Sequence, residues 1–175
     1  QPEELVLTVR AGTALSVIDA ELAKANQMLA FEPADLSGIL ASKSTGTIGG
    51  VLATNLSGPR RLTAGAARDF LLGFDAVSGR GERFKSGGRV MKNVTGYDLS
   101  KLICGSYGTL AVVDEVTIKT LPRPETSLSL LYGCEDMKSA VAQIAAIFAS
   151  PHEPSAAAIL PQSVAAIAGL DMAAT

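Results

Sequence analysis

Histidine occurs once, at position 152, and tryptophan does not occur at all. A Ser-His-Asp triad or a metal site built on histidines therefore has almost nothing to draw on. The two cysteines, Cys104 and Cys134, lie far apart and form no CxxC pair, so reduced thiols in a cytoplasmic protein are the default reading. No basic run stands out and the net charge is −2, which argues against nucleic acid as the main partner. No apolar run is long enough to span a bilayer, and no stretch reads as a signal peptide. The P-loop pattern G-x-x-x-x-G-K-[ST] is absent, and so is the dinucleotide fingerprint G-x-G-x-x-G. That removes two common nucleotide-binding classes.

What is abundant is small and apolar. Residues of apolar type make up 47% of the 175, charged residues only 18%, and there are 17 glycines. This is the composition of a well-buried globular chain. Leu5 to Arg10 reads as a strand ending at an Ala11-Gly12 turn. Thr13 offers an N-cap, and Leu15, Ile18, Leu22 and Ala25 recur at helical spacing, with Lys24 suited to the far end of the helix dipole. Met28 to Phe31 is predicted as a short buried strand and Pro33 as a rigid turn. Phe70 to Val77 is a strand, and Ser78 to Gly81 turns it into a second hairpin arm at Glu82 to Lys85, broken by Gly87-Gly88. A short helix is expected over Leu99 to Ile103 and a long strand over Ala111 to Thr120. Leu121 to Pro124 reads as a stiff linker and domain boundary. Beyond it come a strand at Ser127 to Tyr132 and an amphipathic helix at Glu135 to Phe148, with Met137, Val141, Ile144 and Phe148 on one face. A strand at Ala156 to Leu160 and a helix from Gln162 to Ala168 follow. Both ends look abrupt, as in a piece of a longer protein.

The chemistry concentrates in loops. Ser44 to Gly58 carries four glycines among hydroxylated residues. Positive φ at Gly49-Gly50 would let backbone N–H groups form an anion-binding concavity, with Thr45, Thr47, Thr54, Asn55 and Ser57 as polar partners. The alternative is a plain glycine-rich surface loop. Lys92 to Leu99 and Gly105 to Leu110 are further glycine-broken loops. Paired carboxylates occur at Asp114-Glu115 and Glu135-Asp136. Neighbours in a strand point to opposite faces, and acids at 135 and 136 suit a helix's first turn, so solvated charge is the better reading of both. Arg60 and Arg61 read as an exposed loop pair. Tyr97 is either a ligand contact or a packed tyrosine, and Cys104 a small core residue. No residue stands out as a general base, and no metal site is evident.

The order Pro33…Thr47-Ile48-Gly49-Gly50…Ala53-Thr54-Asn55…Gly58…Arg68-Asp69, then Gly96-Tyr97-Asp98-Leu99 and Gly105-Ser106-Tyr107-Gly108-Thr109-Leu110, resembles the vanillyl-alcohol-oxidase-type (PCMH) flavin-binding family. Within that family it resembles the FAD-binding subunits of bacterial glycolate oxidases. The resemblance covers roughly 5–122. It implies an α+β fold: residues 1–122 as the second lobe of a PCMH-type FAD-binding domain, its N-terminal lobe missing, and residues 123–175 as the start of an α/β cap domain. It implies non-covalent FAD, with Thr47, Ile48, Gly49, Gly50, Ala53, Thr54 and Asn55 along the pyrophosphate and ribityl chain. Gly58 belongs to the same motif, and Val112 and Val113 would lie near the adenine. Relatives commonly carry Glu where this chain has Tyr107.

The implied activity is an FAD-dependent oxidase or dehydrogenase subunit acting on a small 2-hydroxy acid such as glycolate. It would be cytoplasmic, or peripheral at the inner face of the membrane through its partners: a sister flavoprotein subunit and an iron–sulfur subunit. Two rival readings stay open. One is a non-catalytic flavin-binding or scaffolding paralogue in the same complex. The other is a reductase of cell-wall synthesis, which shares the fold and needs an NADPH site. Since half of the cradle would lie upstream of Gln1, the isolated chain is expected to bind FAD poorly.

Overall fold

The computed structural model describes residues 2–88 and 97–167. The sequence readings at Lys92 to Gly96 and at Ala168 fall outside the described residues. Two compact units are present, Gln1–Pro124 and Glu125–Thr175.

In the first unit, β1 (Val6–Arg10), β3 (Leu71–Ser78), β4 (Arg83–Gly87) and β5 (Ala111–Lys119) form an antiparallel sheet in the order β1-β5-β3-β4. A two-stranded sheet joins β2 (Gln27–Met28) to β6 (Leu121–Pro122). Helices α1 (Leu15–Lys24), α2 (Ile48–Thr54), α3 (Ala67–Phe70) and α4 (Leu99–Ile103) complete the unit, an α+β arrangement. The core follows from strand and helix periods meeting. Ile18 and Leu22 of α1, Ile48 and Leu52 of α2, and Val116 and Ile118 of β5 are all buried in one cluster with Phe31, Phe70 and Phe74.

Several expectations shift by a residue or change character. The N-cap of α1 is Ala14, not Thr13, because Ala14 is drawn into an isolated bridge with Thr47. The strand expected at Met28–Phe31 pairs only at Gln27–Met28, while Leu29, Ala30 and Phe31 are buried without a ladder. Its partner is the supposed linker: Leu121 and Pro122 pair with Met28 and Gln27, and a proline is tolerated because a two-stranded sheet is all edge. Buried Thr120 donates to Gln27 Oε1 at 2.8 Å, and Gln27 Nε2 to the Pro2 carbonyl at 2.7 Å, so the interior amide is satisfied.

Strand β5 carries a bulge. Asp75 faces Glu115 but Ala76 faces Val113, leaving Asp114 as the extra residue. The alternation breaks there, and both acids reach one guanidinium: Arg10 lies 2.7 Å from Asp114 and 3.8 Å from Glu115. They are paired surface charges rather than residues on opposite faces, and pairs this exposed stabilise little.

The second unit holds α5 (Met137–Phe148) and α6 (Gln162–Ile167). Neither 127–132 nor 156–160 is a strand, because no ladder partner lies beside them among the described residues, and extended backbone needs one. The expected apolar stripe of α5 is half right: Met137 and Val141 are exposed, and Ala140 is the buried residue. Asp136 is not in the first turn. It caps α5, accepting from Ser139 N at 2.7 Å while Ser139 Oγ accepts from Asp136 N at 3.3 Å.

Hydrogen bonding from Ser139, its backbone N–H first and its side chain second, holds the Asp136 carboxyl below its ordinary value. The cap therefore contributes stability above the unfolded carboxylate range and loses it as pH falls through the lowered value. Asp136→Ala should shorten α5 from its N-terminal end. It should also flatten the acid limb of the helix signal followed by circular dichroism, whereas Asp136→Asn should largely preserve the helix at neutral pH.

Candidate functional site

The Ser44–Gly58 stretch folds as turn, helix, turn. Thr47 is extended (φ −121°, ψ 158°) and its Oγ1 accepts from Gly50 N at 3.3 Å, starting α2; Asn55 ends it in the left-handed region at φ 55°, ψ 36°. The positive φ expected at Gly49-Gly50 is found instead at Gly46 (95°) and Gly58 (67°). Gly49 is needed for another reason. A Cβ there would lie 2.8 Å from Ala11 Cβ and 2.9 Å from its carbonyl oxygen, so the helix packs directly on the β1–α1 turn.

The anion concavity expected at the glycine pair is also corrected. Ile48 N donates to Thr13 O at 3.1 Å and Gly49 N to Ala11 O at 2.8 Å, while Gly50 N is held by Thr47. The donors at the start of α2 are spent inside the protein. The polar side chains are largely spent too. Thr54 Oγ1 donates back to Gly50 O at 2.9 Å, Ser57 Oγ donates to Asn55 O and accepts from Ala67 N, and Asn55 Oδ1 accepts from Arg68 N. Ile48 is fully buried, and Gly58 lies against the Glu32 carbonyl. Thr45 Oγ1 is buried without a hydrogen-bond partner among the described residues.

A cavity of about 190 Å³ opens beside α2. Gly49, Leu52 and Ala53 form one wall; Ala111, Val112, Val113 and Val116 of β5, with Leu71 and Ile103, form the other; Ser106 and Gly108 close the rim. Of the predicted contacts, Gly49, Ala53, Val112 and Val113 converge here; Thr47, Ile48, Gly50, Thr54, Asn55 and Gly58 do not line it. Lining residues not singled out one by one include Leu52, Ile103 and Val116, and also Ser106 and Gly108 of the glycine-broken Gly105–Leu110 loop. The signal for the last two was the glycine turn before β5, which has φ values of 86°, 54° and 73° at Gly105, Tyr107 and Gly108. That turn docks on the open carbonyl end of α2: Gly105 N donates to Leu52 O and Tyr107 N to Ala53 O, both at 2.8 Å.

Arg60 is not an exposed loop arginine. It lies over Met28, with Nε 3.1 Å from Glu32 Oε1 and its side chain only 16% exposed. Tyr97 is 90% exposed, so the packed reading fails. Cys104 is the core residue expected, and burial pushes its thiol up to about 11 from an ordinary value near 9.0. Cys134 is exposed. A thiol reagent at pH 8 should therefore modify Cys134 at once and Cys104 only on unfolding. Because the folded state keeps the Cys104 proton more tightly, stability is full below pH 9 and falls, by roughly 1 to 2 kcal/mol, as pH rises through about 11. A chemical-denaturation series across that window, compared with Cys104→Ala, measures it.

Among the described residues no helix is long and apolar enough to cross a membrane, and no group of His, Cys, Asp and Glu could hold a metal ion. The cavity chemistry suits a flat, largely apolar group: its walls are aliphatic or glycine and carry no charged side chain. At this volume it takes part of a dinucleotide-sized cofactor rather than the whole.

A sequence profile described as FAD binding domain matches residues 1–87. Glycolate oxidase subunit GlcE of Escherichia coli (strain K12) is 50% identical over 129 residues, covering 74% of this chain and 35% of that protein. Glycolate oxidase subunit GlcD of Bacillus subtilis (strain 168) is 35% identical over 161 residues, covering 91% of this chain and 33% of that protein. The chain thus spans about a third of the length of these curated relatives. A solved structure of alkyldihydroxyacetonephosphate synthase superposes with a TM-score of 0.57 at 24% identity, covering 72% of this chain and 21% of that one, a likeness of fold alone. With its antiparallel sheet, its ordered glycine motifs and these matches, the chain has the PCMH-type FAD-binding fold, and its residues 1–87 match the FAD binding domain.

Proposed function

We propose that this chain supplies one wall of the FAD site in a subunit that oxidises a small 2-hydroxy acid such as glycolate and passes the electrons to a partner. On this reading residues 1–122 belong to the FAD-binding domain and 123–175 open the substrate-side cap. The observation that carries it is the convergence of Gly49, Ala53, Val112 and Val113 with Ser106 and Gly108 on one cavity. The relatives' names supply the substrate class, since glycolate is a 2-hydroxy acid.

FAD, when bound, would accept the two electrons released as the substrate's α-carbon is oxidised. The chain's own part is binding and orientation. Gly49 and Ala53 present a flat helix face, Gly108 has nothing within 4 Å of a built Cβ and leaves room for close approach, and half-buried Val113 gives the strand side of the cavity an apolar surface. Thr47, Gly50, Thr54 and Asn55 would act from the rim or through the backbone they hold. The partners would be a sister flavoprotein subunit and an iron–sulfur subunit, in the cytoplasm or at the inner membrane face.

Purifying the full-length protein alone and with its partner subunits, then following flavin content and glycolate-dependent flavin bleaching, tests this. Bound FAD bleached by glycolate supports catalysis in this subunit. FAD that bleaches only when the sister subunit is present supports a non-catalytic, scaffolding role, and a flavin-free protein would sink both.

A further inference from the structure

We propose that Asn55 is a positioning residue for the flavin site: its side-chain oxygen clips the end of α2 to α3 and to the Gly105–Gly108 turn, and so sets the mouth of the cavity without touching the cofactor. The inference rests on the flavin reading above.

Asn55 occupies the left-handed region, where a short polar side chain able to bond locally is favoured over other non-glycine residues. Its Oδ1 accepts twice, from Arg68 N at 3.1 Å and from Cys104 Sγ at 3.6 Å. Arg68 N can only donate, so the amide orientation is fixed. Arg68 is held from its other side by Lys101 Nζ, which donates to its carbonyl at 2.6 Å. One side-chain oxygen thus joins the C-terminus of α2, the start of α3 and the residue that follows α4.

The consequence reaches the cavity through the next residues. Cys104 leads into Gly105, whose N–H shares the Leu52 carbonyl with the N–H of Asn55 itself. A Cβ built on Gly105 would lie 3.6 Å from Asn55 Cβ, so the turn rests on this residue. Ser106 and Gly108 of the same turn line the cavity beside Ala53, whose carbonyl accepts from Tyr107 N. Releasing Oδ1 loosens the thiol, the turn and the rim together. Nδ2 donates to nothing among the described residues, which makes a direct amide contact with the cofactor the competing account.

Three proteins separate the accounts: full-length wild type, Asn55→Gly, which keeps the left-handed backbone and loses the clip, and Asn55→Asp, which keeps the acceptor and loses the amide donor. Two quantities are read well below the melting temperature: the FAD dissociation constant from fluorescence quenching, and hydrogen exchange at the Gly105 and Tyr107 amides without FAD. The expected result is an FAD constant about tenfold weaker in Asn55→Gly, with faster exchange at both amides and both effects reversed in Asn55→Asp. Normal exchange but weak FAD binding in Asn55→Asp would overturn the proposal in favour of a direct amide contact. Fast exchange with unchanged FAD affinity in Asn55→Gly would reduce Asn55 to a folding residue and overturn it as well. A wild type that takes up no FAD fails the flavin reading itself. The exchange rates then still decide the clip, and unchanged rates in Asn55→Gly overturn it.

Discussion

Gly58→Ala should cost this chain more than roughly 3 kcal/mol, the size of effect reserved for substitutions with a specific steric cause. The Cβ it adds would sit 1.9 Å from the carbonyl oxygen of Glu32 and 2.9 Å from its carbonyl carbon. Both are backbone atoms, so no rotamer change relieves the clash. The Glu32 segment cannot withdraw, because Glu32 N donates to Ser57 O at 3.0 Å and Phe31 beside it is buried in the core. The backbone adds a second penalty: φ 67° with ψ −172° is a region that essentially only glycine enters. Gly79→Ala is the matched control, since nothing lies within 4 Å of its built Cβ. Urea midpoints should fall steeply for Gly58→Ala and hardly move for Gly79→Ala. Equal, small shifts would mean that segments 31–32 and 57–58 are not apposed as the fold has them.

Gly58 also shows what the sequence could and could not disclose. Its place in a motif was visible, but its reason was not, because the partner is a carbonyl at position 32. The same holds for α2. Glycine lowers helix propensity, so Thr-Ile-Gly-Gly reads locally as a loop. The helix forms because Ile48, Val51 and Leu52 bury one face while Gly49 lets it sit on Ala11. Elements decided by local pattern were legible: α4 spans Leu99–Ile103 as expected, and β5 and the β3–β4 hairpin differ only at their ends. Elements that depend on a distant partner were not. The 127–132 and 156–160 segments have strand-like composition without a ladder, and β6 appears only because Gln27–Met28 lies beside it. In the candidate site the useful signal was small size rather than polarity. Hydroxyls and amides near the glycines turned inward to hold the backbone, and glycine, alanine and valine were left facing the cavity.

That reversal gives the second large prediction. If small residues make the cavity, filling it should weaken cofactor binding sharply while leaving the fold intact. Ala53 is the position to fill, since it lines the cavity from the face of α2 that also carries Gly49, one helical turn away. Leucine at 53 is a good helix former, and its side chain enters an apolar space between β5 and the Ser106–Gly108 rim, so no polar group is left unpaired. Stability should hold to within about 1 kcal/mol, because apolar volume added to an open cavity need not strain packed neighbours. Flavin affinity of the full-length protein should drop by about a hundredfold, or roughly 2.7 kcal/mol, the scale of losing the burial of one large apolar group. Isothermal titration with FAD beside a thermal melt reads both quantities from one preparation. An Ala53→Leu protein that melts normally and still binds FAD as tightly as wild type would move the flavin out of this cavity and leave the α2–β5 wall a purely structural seam.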